Sequence, residues 1–328
     1  VQLNLIVERE KGLLEFERRI AELKEHSRHQ AIDLTSEIQA LEAKYRELQH
    51  EIFEKLSPWE RVHMSRHPQR PLGHDYIDAL EAFDELHGDR HYRDDPAIVG
   101  GFAKLSGRRI MVIAQEKGRD TKEKVRRNFG MPSPEGYRKV KRLVELAGRL
   151  RLPIVTFVDT PGADPGIGSE ERAQSEAIAS CLAAFARAPV PIVSTVIGEG
   201  GSGGALALAL ADHVMMLEHS TYSVASPEGC AAILWSDAGK AEEAAERLRL
   251  TSDDLRGFGI VDEVIAEPLG GAHRDAQATI RRVLKATDDA LLRLSTLSVG
   301  ELRESRYAKY RRIGRWHEES RSVLQEHV

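Results

Sequence analysis

The chain has 328 residues and a formal net charge of −5, with 41% hydrophobic and 30% charged residues. That balance, with a mean hydropathy of −0.39, excludes a disordered tail protein, holds no apolar run of bilayer length, and gives the whole molecule no attraction for nucleic acid or a membrane. Its two cysteines, Cys181 and Cys230, lie far apart; they support no disulfide framework or zinc ribbon, and with no secretory pattern at the first residues a cytoplasmic address is expected.

Leu13, Phe16, Ile20 and Leu23, then Leu34, Ile38, Leu41, Tyr45, Leu48 and Ile52, recur at alternating spacings of three and four. Such a seam predicts a helical hairpin, broken at "HSRHQAID", whose second helix starts from a capping box of Ser36 and Gln39. Three prolines within 57–71 end it. From about residue 97 short β-branched runs alternate with longer helical ones, the pattern of an α/β domain. Two strands joined at Ser106-Gly107 come first. A helix over 133–152 follows, with Val140, Leu143, Leu146 and Leu150 inward. A buried strand runs into "DTPGADPGIG", followed by a helix over 169–188. A second buried strand ends in "VIGEGGSGG", followed by "ALALALADH", read as helix because alanine favours helix over strand. Short strands, two helices and a strand lead to the C-terminal helical region and a frayed polar tail.

Five glycines between 198 and 204 exceed what a tight strand-to-helix turn requires. Gly200, Ser202 and Gly204 spell the G-x-S-x-G of a nucleophile elbow. A triad would need an acid and a histidine downstream, however, and Asp262 and His273 form no recognisable arrangement with it. The other reading takes the bare N–H groups of Gly203 and Gly204, at the positive end of a helix, as donors to an oxyanion. The turn around Gly162, Ala163 and Gly166 would line the same crevice. His87 and His91, four apart among several aspartates, suggest a metal pair on a helix, but a solvated polar turn explains them better. The basic run 117–127 would attract a phosphate-bearing ligand locally.

The stretches "SRHPQRP" (65–71), "GDR" (88–90), "KGRDTKEKVRRNFGMPSPEGYRK" (117–139), "FVDTPGA" (157–163), "EERAQSEAIA" (170–179), "VIGEGGSGGALAL" (196–208), "YSVASPEGCAAILW" (222–235) and "EPLGGAHRD" (267–275) together resemble the carboxyltransferase α subunits of bacterial multisubunit acetyl-CoA carboxylase. The resemblance implies a crotonase-like ββα superhelix over 71–295, a hairpin and linker over 1–70, and a C-terminal helix and tail over 296–328. It implies carboxyl transfer from carboxybiotin, on a biotin carboxyl carrier protein charged by biotin carboxylase, to acetyl-CoA, giving malonyl-CoA. The partner is a zinc-ribbon β subunit in an α2β2 assembly, with no metal expected in this chain. Gly203 and Gly204 would form the oxyanion hole, while Gly200, Gly201, Gly162, Ala163 and Gly166 would lie on the biotin side. One departure stands out: Asp164 occupies the position of the family's usual Tyr. The alternatives are a serine hydrolase using Ser202 and a scaffold for the β subunit.

Overall fold

The protein is seen in a computed structural model that describes residues 4–30 and 33–314. The polar tail beyond 315, expected to fray, lies outside the described residues. Among those described, no helix is long and apolar enough to cross a membrane.

Helices α1 (Leu5–Gln30) and α2 (Thr35–Phe53) form the expected hairpin. Its seam is only partly covered: Leu13 and Ile20 are buried, whereas Phe16, Leu23 and the α2 seam residues are half-buried. The Ser36 capping box is absent. Ser36 sits inside α2, whose N-cap Leu34 has no side-chain bond, and Asp33 instead accepts from the Thr35 N–H at 3.0 Å. Two helices not foreseen follow, α3 (Pro58–Ser65), which has a true capping box of Ser57 and Glu60, and α4 (Gly73–Asp78).

An eight-stranded mixed sheet forms the body. Strand β1 (Ala82–Glu85), also unforeseen, pairs antiparallel with β2 (Ile98–Leu105), which pairs with β3 (Arg108–Gln115) through the Ser106-Gly107 turn. Beyond β3 the pairing is parallel: β4 (Ile154–Thr160), β5 (Ile192–Gly201), β6 (His213–Leu217) and, after β7 (Thr221–Ser223), β8 (Glu263–Ile265). Both faces of the parallel part are covered, which is why β4 and β5 are buried throughout instead of alternating between buried and exposed.

After α5 (Thr121–Arg126), helix α6 (Pro134–Leu150) buries Tyr137, Val140, Leu143, Val144 and Ala147. The stripe is thus rotated from the expected one, for Leu146 is half-buried and Leu150 exposed at the helix end. The helix expected over 169–188 is broken: α7 (Ile167–Glu171) stops at Arg172, and Ala173, with φ of 62°, precedes α8 (Gln174–Arg187). Helix α9 (Ser202–Ala209) confirms the helical reading of the Ala/Leu run. Together α6, α8 and α9 cover one face of the sheet, with a core of Ile113, Val140, Phe185, Val196 and Leu208. Following α10 (Pro227–Trp235), α11 (Ala241–Leu248) and α12 (Ser252–Gly257), helix α13 (Ala276–Leu294) covers the other face, around Val112, Phe157, Ile197 and Leu291. Helix α14 (Val299–Arg311) is the last among the described residues, its buried Arg306 donating to the Phe185, Ala188 and Val190 carbonyls and to Asp212.

Two of the sequence motifs meet under α1. Glu10 is buried at the edge of the stacked imidazoles of His67 and His273, whose ring centroids are 3.7 Å apart, and bridges them by accepting from both Nε2 atoms, at 3.1 and 2.8 Å. The same two motifs pair Arg70 with Glu267, fully buried, while the Arg70 Nε donates to the Ile197 carbonyl at 2.6 Å. Burial alone would raise the Glu10 carboxyl. Hydrogen bonds from His273 and His67 and the nearby Arg274 charge outweigh it, leaving a pKa of about 2.

Glu10→Ala leaves two buried imidazole N–H groups without acceptors, so it lowers stability by roughly 3 kcal/mol, measured by urea denaturation at pH 7. Because the folded-state pKa lies below the ordinary 4.5, the unfolded chain protonates first in acid. The Glu10 contribution is therefore complete above about pH 5 and disappears as pH falls toward 2, where the gap between variant and parent closes.

Candidate functional site

The C-terminal ends of the parallel strands meet where β4 runs into the Gly162 turn and β5 into the glycine run, the crevice side of an open α/β sheet. Here the strand goes further than expected. Gly200 and Gly201 belong to β5 and pair with Tyr222 and Ser223 of β7. Their lack of a side chain is a packing requirement: a Cβ on Gly200 would meet Tyr222 Cδ2 at 2.8 Å, and one on Gly201 would collide with the Pro161 carbonyl. Gly198 likewise leaves room for the Asp159 carboxylate.

The backbone turns at Ser202, which is exposed and left-handed, with φ of 53°. A non-glycine residue in that region marks a constrained corner. Helix α9 starts there, and among the described residues no acceptor engages the N–H groups of Gly203 and Gly204. The two glycines differ. Gly204 is buried on the Gly162–Ala163 backbone, with a Cβ only 2.5 Å from the Ala163 nitrogen, whereas a Cβ on half-buried Gly203 would touch only Ile178, at 3.9 Å. So the turn at 162–163 lies directly against the helix start, held by Thr160, whose Oγ1 both donates to the Gly162 carbonyl and accepts from its N–H.

One residue absent from the sequence reading joins these pieces. Buried Gln115, at the end of β3, donates from Nε2 to the Gly204 carbonyl at 2.8 Å and accepts at Oε1 from the Asp159 N–H at 3.1 Å. A lone glutamine after an apolar strand carries no motif. Only the strand alignment reveals its place.

Beside the turn runs a chain of alternating charges. Lys117 Nζ lies 2.7 Å from Asp159 and 3.4 Å from Glu199; Arg66 bonds Glu199 at 2.6 Å and Glu228 at 2.6 Å. Burial pushes the Asp159 carboxyl up despite Lys117, whereas Lys117 and Arg66 hold Glu199 below the carboxylate range against the opposite pull of burial. Asp159 and Glu199 in turn keep the buried Lys117 ammonium charged. Arg66, Glu199, Lys117 and Asp159 line a cavity of about 250 Å³ that also includes Pro161, Lys124 and Phe129, but not Gly203 or Gly204.

Asp164 is engaged locally. Its carboxylate accepts from the Gly166 N–H at 3.1 Å and the Ser169 hydroxyl at 2.5 Å, so Gly166 serves as the start of α7 and the loop closes on itself. The nucleophile reading gains nothing: His273 is committed to Glu10, and Asp262 accepts from the Val214 N–H and Lys309. His87 and His91 are not on a helix but in a turn folded around Asp89, which accepts from the N–H groups of His91, Tyr92 and Arg93. The Glu10, His67 and His273 cluster has the composition of a metal site. Its hydrogen bonding opposes that use, since His67 Nδ1 accepts from the Gln69 N–H at 3.2 Å; Nε2 then carries the proton and has no lone pair for a cation.

These contacts sort the glycines. Gly201→Ala and Gly204→Ala force backbone displacement and lower Tm by several degrees, whereas Gly203→Ala leaves Tm within about 2 °C, because only it has open space for a methyl group. Lys117→Met leaves the buried Asp159 carboxylate without its cation and Glu199 with Arg66 alone, and costs about 3–5 kcal/mol, measured by chemical denaturation.

Residues 6–314 match the family described as acetyl co-enzyme A carboxylase carboxyltransferase-like. The chain is 52% identical over 313 residues to the acetyl-coenzyme A carboxylase carboxyl transferase subunit alpha of Azoarcus sp. (strain BH72), covering 93% of this chain and 98% of that protein. It is 53% identical to the protein of the same description in Geobacter metallireducens, covering 95% and 98%. Among solved structures it is similar to the transcarboxylase 12S hexamer core (TM-score 0.53, 22% identity, 67% of this chain and 42% of that one). It is also similar to a chain of a Pseudomonas malonate decarboxylase hetero-tetramer (TM-score 0.52, 19% identity, 66% and 89%). The fold is accordingly crotonase-like.

Proposed function

Because the chain belongs to the acetyl-CoA carboxylase carboxyltransferase α-subunit family, we propose that the amides of Gly203 and Gly204 are its half of an oxyanion site completed by a β subunit. As a member of that family it acts as a transferase in the formation of malonyl-CoA, the step that feeds fatty acid synthesis. Biotin dependence belongs to the same family, and an α subunit implies a β subunit. The finer assembly proposed is an α2β2 heterotetramer in the cytoplasm.

The observation that carries the reading is a pair of N–H groups without acceptors at the positive end of α9, one on a glycine with open space before it. Carboxybiotin, delivered on the biotin carboxyl carrier protein after biotin carboxylase has charged it, supplies the carboxyl group. A ureido oxygen suits the two donors in size and polarity. The chain's own part is to donate both N–H groups to that oxygen and to stabilise the negative charge that builds there as the carboxyl group leaves. Since the dipoles are fixed by Gln115 and by the Gly162–Ala163 backbone beneath them, they need no reorganisation when charge appears. Gly200, Gly201 and Gly166 shape the biotin side through the loops they allow.

Exposed apolar residues lie on α9 and on the segments that follow it: Leu206 on α9, Val224 after the strand that pairs with Gly201, and Ile233 and Leu234 on α10, the last three at 77%, 79% and 63% exposure. Such residues on neighbouring elements suit a partner surface, which is assigned to the β subunit. Ile233→Asp, away from the turn, is expected to abolish co-purification with the β subunit while Tm of the isolated chain holds; unchanged co-purification would remove this face from the interface.

Gly203→Pro deletes one donor where a ring has room. In the reconstituted complex it lowers malonyl-CoA formation by about 10²–10³-fold, followed by radiolabelled carboxyl transfer, with Tm as the control for folding. Ser202→Ala lowers it less than threefold, and the chain without its β subunit forms none. Full activity in the Gly203→Pro complex sinks the oxyanion reading and favours a scaffold role.

A further inference from the structure

The tip of the loop between β4 and α7, Pro165, Gly166 and Ile167, is exposed, Ile167 at 80%. Burial gives this segment little, so its place is set by hydrogen bonds. Four of them converge on Asp164. Its N–H donates to the Pro132 carbonyl at 3.0 Å and its carbonyl accepts from Gln174 Nε2 at 3.0 Å, while Oδ1 takes the Gly166 N–H and Oδ2 the hydroxyl of buried Ser169. Since Gln174 Nε2 also donates to the Pro132 carbonyl at 2.9 Å, this one residue joins the loop to the segment before α6 and to the first turn of α8. Arg172 anchors the far end of α7 on the buried Glu135 carboxylate at 2.7 Å. Asp164 anchors the near end.

What the near end carries is the floor of the donor pair. The Gly162–Ala163 backbone lies so close to the start of α9 that a Cβ on Gly204 would come within 2.5 Å of the Ala163 nitrogen. Thr160 Oγ1 secures the Gly162 side of this segment, and Asp164 follows Ala163 directly on the other. We propose that Asp164 is a positioning residue for carboxyl transfer: clamped to Ser169 and Gly166, it holds Ala163 against Gly204 and so keeps the Gly203 and Gly204 donors in line. It touches no reacting atom, and its role rests on the oxyanion reading above. The acting property is the pair of hydrogen bonds and not the charge, because each carboxylate oxygen is engaged by a donor within the chain.

The test uses the reconstituted α–β complex, with amide hydrogen exchange of the segment 160–169 read by mass spectrometry beside steady-state kinetics. Asp164→Ala keeps the main-chain bonds to Pro132 and Gln174 but loses the clamp. It is expected to speed exchange of that segment about tenfold and to lower kcat by about tenfold or more, while Tm and the KM for acetyl-CoA hold. Asp164→Asn, whose amide accepts from the Gly166 N–H and donates to the Ser169 hydroxyl, restores both. Ser169→Ala has a smaller effect, and adding it to Asp164→Ala lowers kcat no further. Unchanged exchange or unchanged kcat in Asp164→Ala overturns the inference, and so does an Asp164→Asn complex as slow as Asp164→Ala, which makes the charge the acting property. A complex slowed by Gly203→Pro but not by Asp164→Ala loses only this residue's role; full activity with Gly203→Pro removes the donors themselves, whatever the exchange shows.

Discussion

The architecture of the crevice depends on one run of alternating charge, Glu228–Arg66–Glu199–Lys117–Asp159. Its members come from α10, the end of α3, β5, the end of β3 and β4, so it fastens elements with no neighbouring sequence at the edge where the strands stop. A single buried ion pair contributes little beyond its desolvation cost, but removing one member of a linked set leaves charges with no water to turn to. Lys117 links Glu199 to Asp159. With it in place, Asp159 can sit against the bare Cα of Gly198 and accept from the Glu199 N–H at 2.9 Å. The end of β4 and the approach to the glycine turn thereby become one rigid body.

Gln115 extends that rigidity to the helix. By holding Asp159 through its oxygen and Gly204 through its nitrogen, it couples the charged run to the peptide plane at the start of α9. Buried Gln115 and the Gly162–Ala163 backbone steady the start of α9 from beneath, so the N–H groups proposed as donors gain direction without a reactive side chain.

Much of this was legible in the residues. Strand, glycine turn and helix, used twice, were visible because buried parallel strands are continuous apolar runs and the helices that follow have their own periodicity. Less legible was the division of labour among the glycines. Gly198, Gly200 and Gly201 are bare because Asp159, Tyr222 and Pro161 crowd them, contacts between residues 20 to 40 positions apart that no local pattern announces. The short β1, α3 and α4 escaped notice because elements of four to eight residues carry too few periods to read. Ser36 had the chemistry of a cap but lost to Asp33, two residues before Thr35. The motifs "SRHPQRP" and "EPLGGAHRD" signalled a family without telling their purpose, which is to meet each other under α1.

That meeting has a consequence for biosynthesis. The partner of Glu10, His273, leaves the ribosome more than two hundred and fifty residues after it. The nascent hairpin can coil on itself and pack on α3 early, through Ile6, Leu13 and Met64, but Glu10 lacks its second imidazole until the sheet has been translated. Its carboxylate stays hydrated through that interval and is withdrawn from water only when the late segment arrives. The buried Glu10–His273 contact is thus a late event of maturation, a built-in signature that the sheet has been made through its last strand.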